Sequence, residues 1–290
     1  MKLISAFVNQ TRRPRAGWRI AIGLVAMMVV IAVLATAVDA TEVPLIESFL
    51  WQLLAVPLLI GLAKLLARMD RRSFKEYGLS LQLKRLAAGL FLGVFLVGLI
   101  WLLLRGLGWI EVIDTFYIRY SAPFALGFLA FALRYASVGI FEELFHRGFL
   151  ITNFAEGLNG AKPKRFLAAF LASVLFGLLH LTNDGATVWA GVNLILLGLV
   201  FALPFVWSGN LSFSIGLHAA WNFAMGPIFG MPVSGYEPRV AVALSEATGP
   251  SFWTGGTFGP EGGFLTTLIL GTTLILFALM PRKLGKSGSK

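Results

Sequence analysis

The chain has 290 residues, of which 57% are hydrophobic and 13% charged, with a mean hydropathy of +0.80 and a net charge of +10. A soluble domain is nearer half apolar and a quarter charged, so this composition excludes an ordinary water-soluble enzyme and points to a polytopic membrane protein, read as one domain over residues 1–290. The absence of cysteine excludes disulfides, thiolate metal sites and a cysteine nucleophile. The basic residues flank apolar spans and form no compact basic domain; membrane lipid, not nucleic acid, is the partner expected for them.

Eight apolar spans can be drawn in chain order, over residues 18–38, 44–67, 86–107, a long one within 121–158, then 166–181, 188–207, 211–229 and 264–280. Each approaches the length of about 20 residues that a helix needs to cross a bilayer. Leu, Ala, Gly and Phe dominate without period-2 alternation, which argues for helices and against a membrane β-barrel. The first span follows Lys2, Arg12, Arg13, Arg15 and Arg19 and is too long for a signal-peptide core, so it is read as an uncleaved first helix. With the N-terminus in the cytoplasm, the basic connection over 64–85, Lys162, Lys164, Arg165 and the tail Arg282, Lys283, Lys286 and Lys290 all fall inside. Both termini are then cytoplasmic, and residues 231–263 form a Gly- and Pro-rich extracytoplasmic loop, expected to be mobile more than a cap. No internal repeat is evident. The expected fold class is an all-α membrane protein of about eight transmembrane helices with an intramembrane polar cluster.

That cluster begins at residues 139–150, where Glu142, Glu143, His146 and Arg147 interrupt an apolar run. Ionisable groups in hydrocarbon cost about 2.5–3.5 kcal/mol each on insertion scales, which makes them functional candidates by default. On a helix Glu143 and Arg147 stand at i,i+4 and share a face, so the guanidinium can hold one carboxylate ionised. Glu142 is turned about 100° away and has no partner in sequence, which suits a general base. A buried structural ion pair explains Glu143 and Arg147 equally well and Glu142 poorly. Phe176 and His180 share a face near the end of the fifth span, and His218 and Asn222 stand one turn apart in the seventh. Either pair alone reads as hydrogen-bonded helix packing. Together they supply a carboxylate, two imidazoles and an amide, the set that activates water and stabilises a tetrahedral intermediate. All three histidines, at 146, 180 and 218, lie in apolar spans. Glu47 and Arg134 are the main other ionisable groups there.

The patterns E-E-x-x-x-R at 142–147, F-x-x-x-H at 176–180 and H-x-x-x-N at 218–222, in this order on successive apolar segments, resemble the CPBP family of intramembrane proteases. That family includes the type II CAAX prenyl endopeptidases and the Abi bacteriocin-processing and immunity group. The resemblance covers about residues 136–229, and Gly148, Phe149 and Leu150 fit its usual continuation. It implies an eight-helix fold, Glu142 as the base with His180 beside it, His218 and Asn222 as the oxyanion site, and Glu143, Arg147 and Phe176 in support. His146 departs from the family's usual Phe. The resemblance further implies an intramembrane endopeptidase of a cell inner (plasma) membrane, acting on a hydrophobic or lipidated substrate, CAAX-like in one version. No cofactor is required in the favoured reading. The alternative is a divalent metal such as zinc on Glu142, His180 and His218. A non-catalytic immunity or binding protein, and less so a proton-coupled transporter, are the rival classes.

Depth along the helices adds one more expectation. His180 is about 22 Å along its helix from Arg165, whereas counting from Ser121 puts Glu142 near the cytoplasmic end. The two agree best if the fourth membrane helix starts near Arg134, with 122–133 an interfacial or re-entrant segment. Depth does not choose the face from which water enters; the resemblance to CAAX endopeptidases, which act on cytosol-facing substrates, implies an opening to the cytoplasm.

Overall fold

Every apolar stretch named above is helical. The structure, a computed structural model, describes residues 7–8, 13–39, 44–159 and 162–280. Lys2, Arg12 and the basic tail from Arg282 onward lie outside the described residues, as do the side chains of Glu47 and Lys162. The first three helices are α1 (Ala16–Asp39), α2 (Pro44–Asp70) and α3 (Leu83–Gly106). After a strand β1 (Ile110–Ile118) comes α4 (Phe124–Glu143), which runs without a break through a π-helix (Leu144–Ile151) into α5 (Thr152–Gly157). Then follow α6 (Lys162–Leu179), a 3-10 turn (His180–Thr182), α7 (Val188–Ser208), and α8 (Ser212–Phe223) extended by a π-turn (Ala224–Ile228). A second strand β2 (Val240–Ala247), the short α9 (Ser251–Thr254) and α10 (Phe264–Leu279) follow among the described residues.

Among the described residues five helices are long and apolar enough to cross a membrane, and Phe264–Leu279 is a shorter apolar one. Val25, Met28, Phe91, Leu102 and Ile275 are exposed on their outer faces. This is the surface lipid covers in a multi-pass membrane protein. Local chemistry sets the ends of α7: the Thr187 hydroxyl accepts from the Ala190 N–H at 3.0 Å, and Gly209 closes the helix in the left-handed region.

The interior forms in two halves. In one, Val97 and Ile100 of α3, Phe176 of α6, Phe201 of α7 and Leu217 and Trp221 of α8 make a single buried cluster. Among the described residues the contact of α3 with α8 is the most extensive between helices. Gly89 and Gly93 stand one turn apart at its centre, and a Cβ on Gly93 would lie 2.6 Å from the carbonyl oxygen of Leu217. Only glycine lets the backbones come this close, the small-xxx-small packing that membrane helices use when lipid provides no hydrophobic drive between them.

In the other half, Met27 of α1, Leu62 and Leu66 of α2, Tyr77, and Phe149 and Leu150 of the π-helix pack together. A polar lock closes its end. Asp70, fully buried, accepts from Arg19, from the Tyr77 hydroxyl at 2.6 Å and from Asn153 Nδ2 at 2.8 Å. Glu156 accepts from Arg13 and Arg19 at 2.8 Å each and from Arg72. Burial, then the bond to Asp70, pushes the Tyr77 hydroxyl well above the usual phenol range. The lock joins α1, the end of α2 and α5, and uses Arg13, Arg19 and Arg72, which the sequence presents only as flanking positive charge.

Two expectations are corrected. Residues 122–133 are not a separate interfacial or re-entrant segment, because α4 is continuous from Phe124. Residues 231–263 are not a loop without regular structure. The strand β2 within them pairs antiparallel with β1, from Ile110 opposite Ala247 to Ile118 opposite Val240, with an irregularity between Val112 and Asp114. β-Branched and aromatic residues fill β1, and the ribbon ties two otherwise separate connections together. The rest of the segment winds through α9 and 3-10 turns at Gly256–Phe258 and Pro260–Gly262.

Gly93→Val should separate α3 from α8 and destabilise the fold by more than the about 1–3 kcal/mol of ordinary overpacking, read as a lower thermal unfolding midpoint in detergent. An unchanged midpoint would show that the close approach carries no stability.

Candidate functional site

The motif residues meet where α4, α6, α7 and α8 converge. Gly139 makes the approach of α4 to α8 possible: a Cβ there would lie 3.0 Å from the backbone nitrogen of Ala219. One residue before Ala219 stands His218, and three and four residues after Gly139 stand Glu142 and Glu143. The crossing therefore delivers both acids to the imidazole.

Glu143 is the hub, fully buried. Its Oε1 accepts from Arg147 Nη1 at 2.8 Å and from His218 Nδ1 at 2.8 Å. Arg147, also buried, donates from Nη2 to the carbonyl of Gly198 on α7 at 3.0 Å. Its guanidinium carbon sits 4.9 Å from the ring centre of Phe176 and 5.2 Å from that of Phe201. The i,i+4 pair read from the sequence is present, and it also reaches α7 and α8.

Because Nδ1 of His218 faces a carboxylate, Nε2 is the nitrogen left to act. It lies 4.0 Å from Glu142 Oε2. The Glu142 side chain is 22% exposed, but Oε2 itself is buried and has no hydrogen-bond partner. A group 2.8 Å from both atoms, the length of a good hydrogen bond, would subtend an angle of about 90° at itself. The separation is thus that of two groups bridged by one hydrogen-bonding partner.

Phe176 is the surface on which the other groups gather. Its ring centre is 5.1 Å from that of His146, 4.5 Å from that of His180 and 6.0 Å from that of His218. Phe201 stacks on His218 at 4.6 Å. The other two imidazoles repeat the tautomer logic. His180 Nδ1 donates to the carbonyl of Phe176 at 2.7 Å, and His146 Nδ1 donates to that of Glu142 at 3.0 Å. A carbonyl only accepts, so Nδ1 carries the proton and Nε2 is again the free atom. That of His146 is buried without a partner.

The structure thus brings Glu142, Glu143, Arg147, Phe176 and His218 into one constellation. It sets His218, not His180, nearest to Glu142: no nitrogen of His180 comes within 4.0 Å of the Glu142 carboxylate. Asn222 is one turn beyond His218 and buried, and its amide makes no hydrogen bond among the described residues. As a metal site the donors do not converge, since no three His, Asp or Glu side chains among the described residues stand close enough to hold an ion. The set of Glu142, His180 and His218 accordingly does not form a ligand cage.

Two features were not legible in the motifs. Both motif helices leave α-geometry at the motif: α4 passes into the π-helix at Leu144, within the motif, so that His146 and Arg147 stand on π-turns, and α8 passes into the π-turn at Ala224, just after Asn222. Pro227, which lacks an N–H, lies in the second of these, and wide turns of this kind recur at functional sites. The other is Gly198, whose carbonyl receives Arg147; nothing in the local sequence marks it as an acceptor.

Residues 123–224 match the family model described as type II CAAX prenyl endopeptidase Rce1-like. This stretch, which holds every motif residue from Glu142 to Asn222, is thus similar to the Rce1-like family, in line with the motifs. An uncharacterized protein of Bacillus subtilis (strain 168), YyaK, is 37% identical over 84 residues, which is 28% of this chain and 27% of that protein. The aligned region thus spans about a quarter of that curated relative. No solved structure matches the chain.

The two adjacent acids should separate in unfolding experiments. Glu143→Ala leaves Arg147 buried without its carboxylate and should destabilise by about 3–5 kcal/mol. Glu142→Ala removes an atom with no donor on it and should cost under about 1 kcal/mol. Denaturant midpoints in detergent test the order, and the reverse order would refute the hub assignment.

Proposed function

We propose that the chain is an intramembrane endopeptidase that hydrolyses a peptide bond of a membrane-associated protein with water activated between Glu142 and His218. The observation that carries this reading is the buried, partnerless Oε2 of Glu142 facing a free imidazole nitrogen across 4.0 Å. A purely structural pair would close that gap; a water-activating pair keeps it.

In this mechanism Glu142 takes one proton from the water while His218 Nε2 orients it. The resulting hydroxide adds to the carbonyl carbon of the scissile bond and gives a tetrahedral oxyanion. The Asn222 amide, unengaged and one turn from His218, donates to that oxygen. Collapse breaks the C–N bond, Glu142 returns its proton to the leaving nitrogen, and a carboxylic acid and an amine result. Glu143 holds His218 in the tautomer that frees Nε2, and Arg147 fixes Glu143. His180 lines the same aromatic surface as a second imidazole and does not touch Glu142. No step requires a metal ion.

The substrate is assigned as a hydrophobic or lipidated segment near the membrane surface, CAAX-like in its C-terminal form. The Rce1-like match supports this class. The chain is assigned to a plasma membrane with both ends in the cytoplasm, on the distribution of basic residues in the sequence.

Glu142→Gln should leave insertion and folding intact and lower cleavage by roughly a hundred- to ten-thousandfold, the usual contribution of a general base. Comparing membrane proteomes that carry wild type or this variant should reveal C-terminal fragments made only by the wild type. Equal fragment yields would overturn the mechanism.

A further inference from the structure

Glu261 stands outside the residues that match the family model, 123–224, and is only 2% exposed. Its Oε1 accepts from the indole Nε1 of Trp221 at 2.8 Å. Its Oε2 accepts from the backbone N–H and the hydroxyl of Ser234 at 2.7 and 2.6 Å. Its backbone carbonyl accepts from Asn193 Nδ2 of α7 at 2.8 Å. Three neutral donors on one buried carboxylate make an exacting arrangement, because removing any of them leaves a desolvated charge under-satisfied.

What Glu261 touches leads to the site by two short routes. Trp221, fully buried, immediately precedes Asn222 on α8. Ser234 offers its carbonyl to Asn183 Nδ2 at 2.9 Å, and the Asn183 N–H in turn closes the 3-10 turn on the carbonyl of His180 at 3.2 Å. One carboxylate therefore links the helix that carries Asn222 with the turn that carries His180. Neither residue is tied to the Glu143 hub by a hydrogen bond of its own side chain among the described residues.

We propose that Glu261 is a positioning residue: through Trp221 and Ser234 it sets where Asn222 and His180 stand, so that the segment over 231–263 is part of the site's framework. The inference rests on the reading of Asn222 and His180 as site residues. Glu261→Gln keeps the shape but turns an NH2 group toward one of its donors. Trp221→Phe keeps a large ring and removes only the indole N–H.

Two readouts on the full-length protein test this. In the cleavage assay, each variant should lower kcat about tenfold per folded molecule with KM changed less than twofold, and the double variant should be no worse than the poorer single one. Independently of activity, the chain has no cysteine, so Asn222→Cys provides a sole thiol. Its alkylation rate by a small water-soluble maleimide should change at least fivefold when Glu261→Gln is added. Alkylation within twofold overturns the proposal, as does a loss of cleavage that only tracks the folded fraction, or additive single variants. If the wild type cleaves nothing, the protease reading fails while the alkylation arm still decides whether Glu261 positions α8.

Discussion

A single oxygen, Oε1 of Glu143, accepts both the guanidinium of Arg147 and the imidazole of His218. An ionised group buried away from water is stable only when its field is met by fixed donors, and here the donors come from its own helix and from α8. Arg147 then extends the contact to α7 through the Gly198 carbonyl. The consequence is geometric. Three helices are held in one mutual arrangement by groups that leave no room for slippage, and His218 can present only Nε2 to Glu142.

The same device recurs at two other levels of the molecule. Asp70 and Glu156 gather arginines, a tyrosine and an asparagine where α1, α2 and α5 meet, and Glu261 gathers Trp221 and Ser234 beyond the end of α8. Lipid tails are as apolar as leucine, so burial alone does not tell one membrane helix which neighbour to choose. Acids with several directional donors do make that choice, and small residues such as Gly93 and Gly139 then allow the backbones to close. Of the three levels, the Glu143 level alone sets an unengaged carboxylate oxygen, that of Glu142, against a free imidazole nitrogen.

Much of this could be read from the residues because it is local. The i,i+4 relation of Glu143 to Arg147 and of Phe176 to His180 follows from helix pitch, and both pairs are in contact. Apolar runs long enough to span gave the helices. What pitch cannot supply is rotation between helices. Which imidazole faces Glu142 depends on the α4–α8 crossing at Gly139 and Ala219, so His218 takes the position expected of His180. The π-helix after Glu143 and the β1–β2 ribbon depend on partners far along the chain. Asp70 belongs to no motif, and two of its donors, Arg19 and Asn153, lie 51 and 83 residues away.

Arg19 has a further consequence for how the molecule is made. It is wholly enclosed in the finished fold, yet its acidic partners are synthesised 51 and 137 residues later. At about 5–20 residues per second, translation takes roughly 7–27 seconds to reach Glu156 after Arg19. Until Asp70 follows, the guanidinium can reach up among the lipid headgroups, and its second acid arrives only with Glu156. Biogenesis is therefore ordered: the amino-terminal helix enters the bilayer before the segment that completes its polar lock exists.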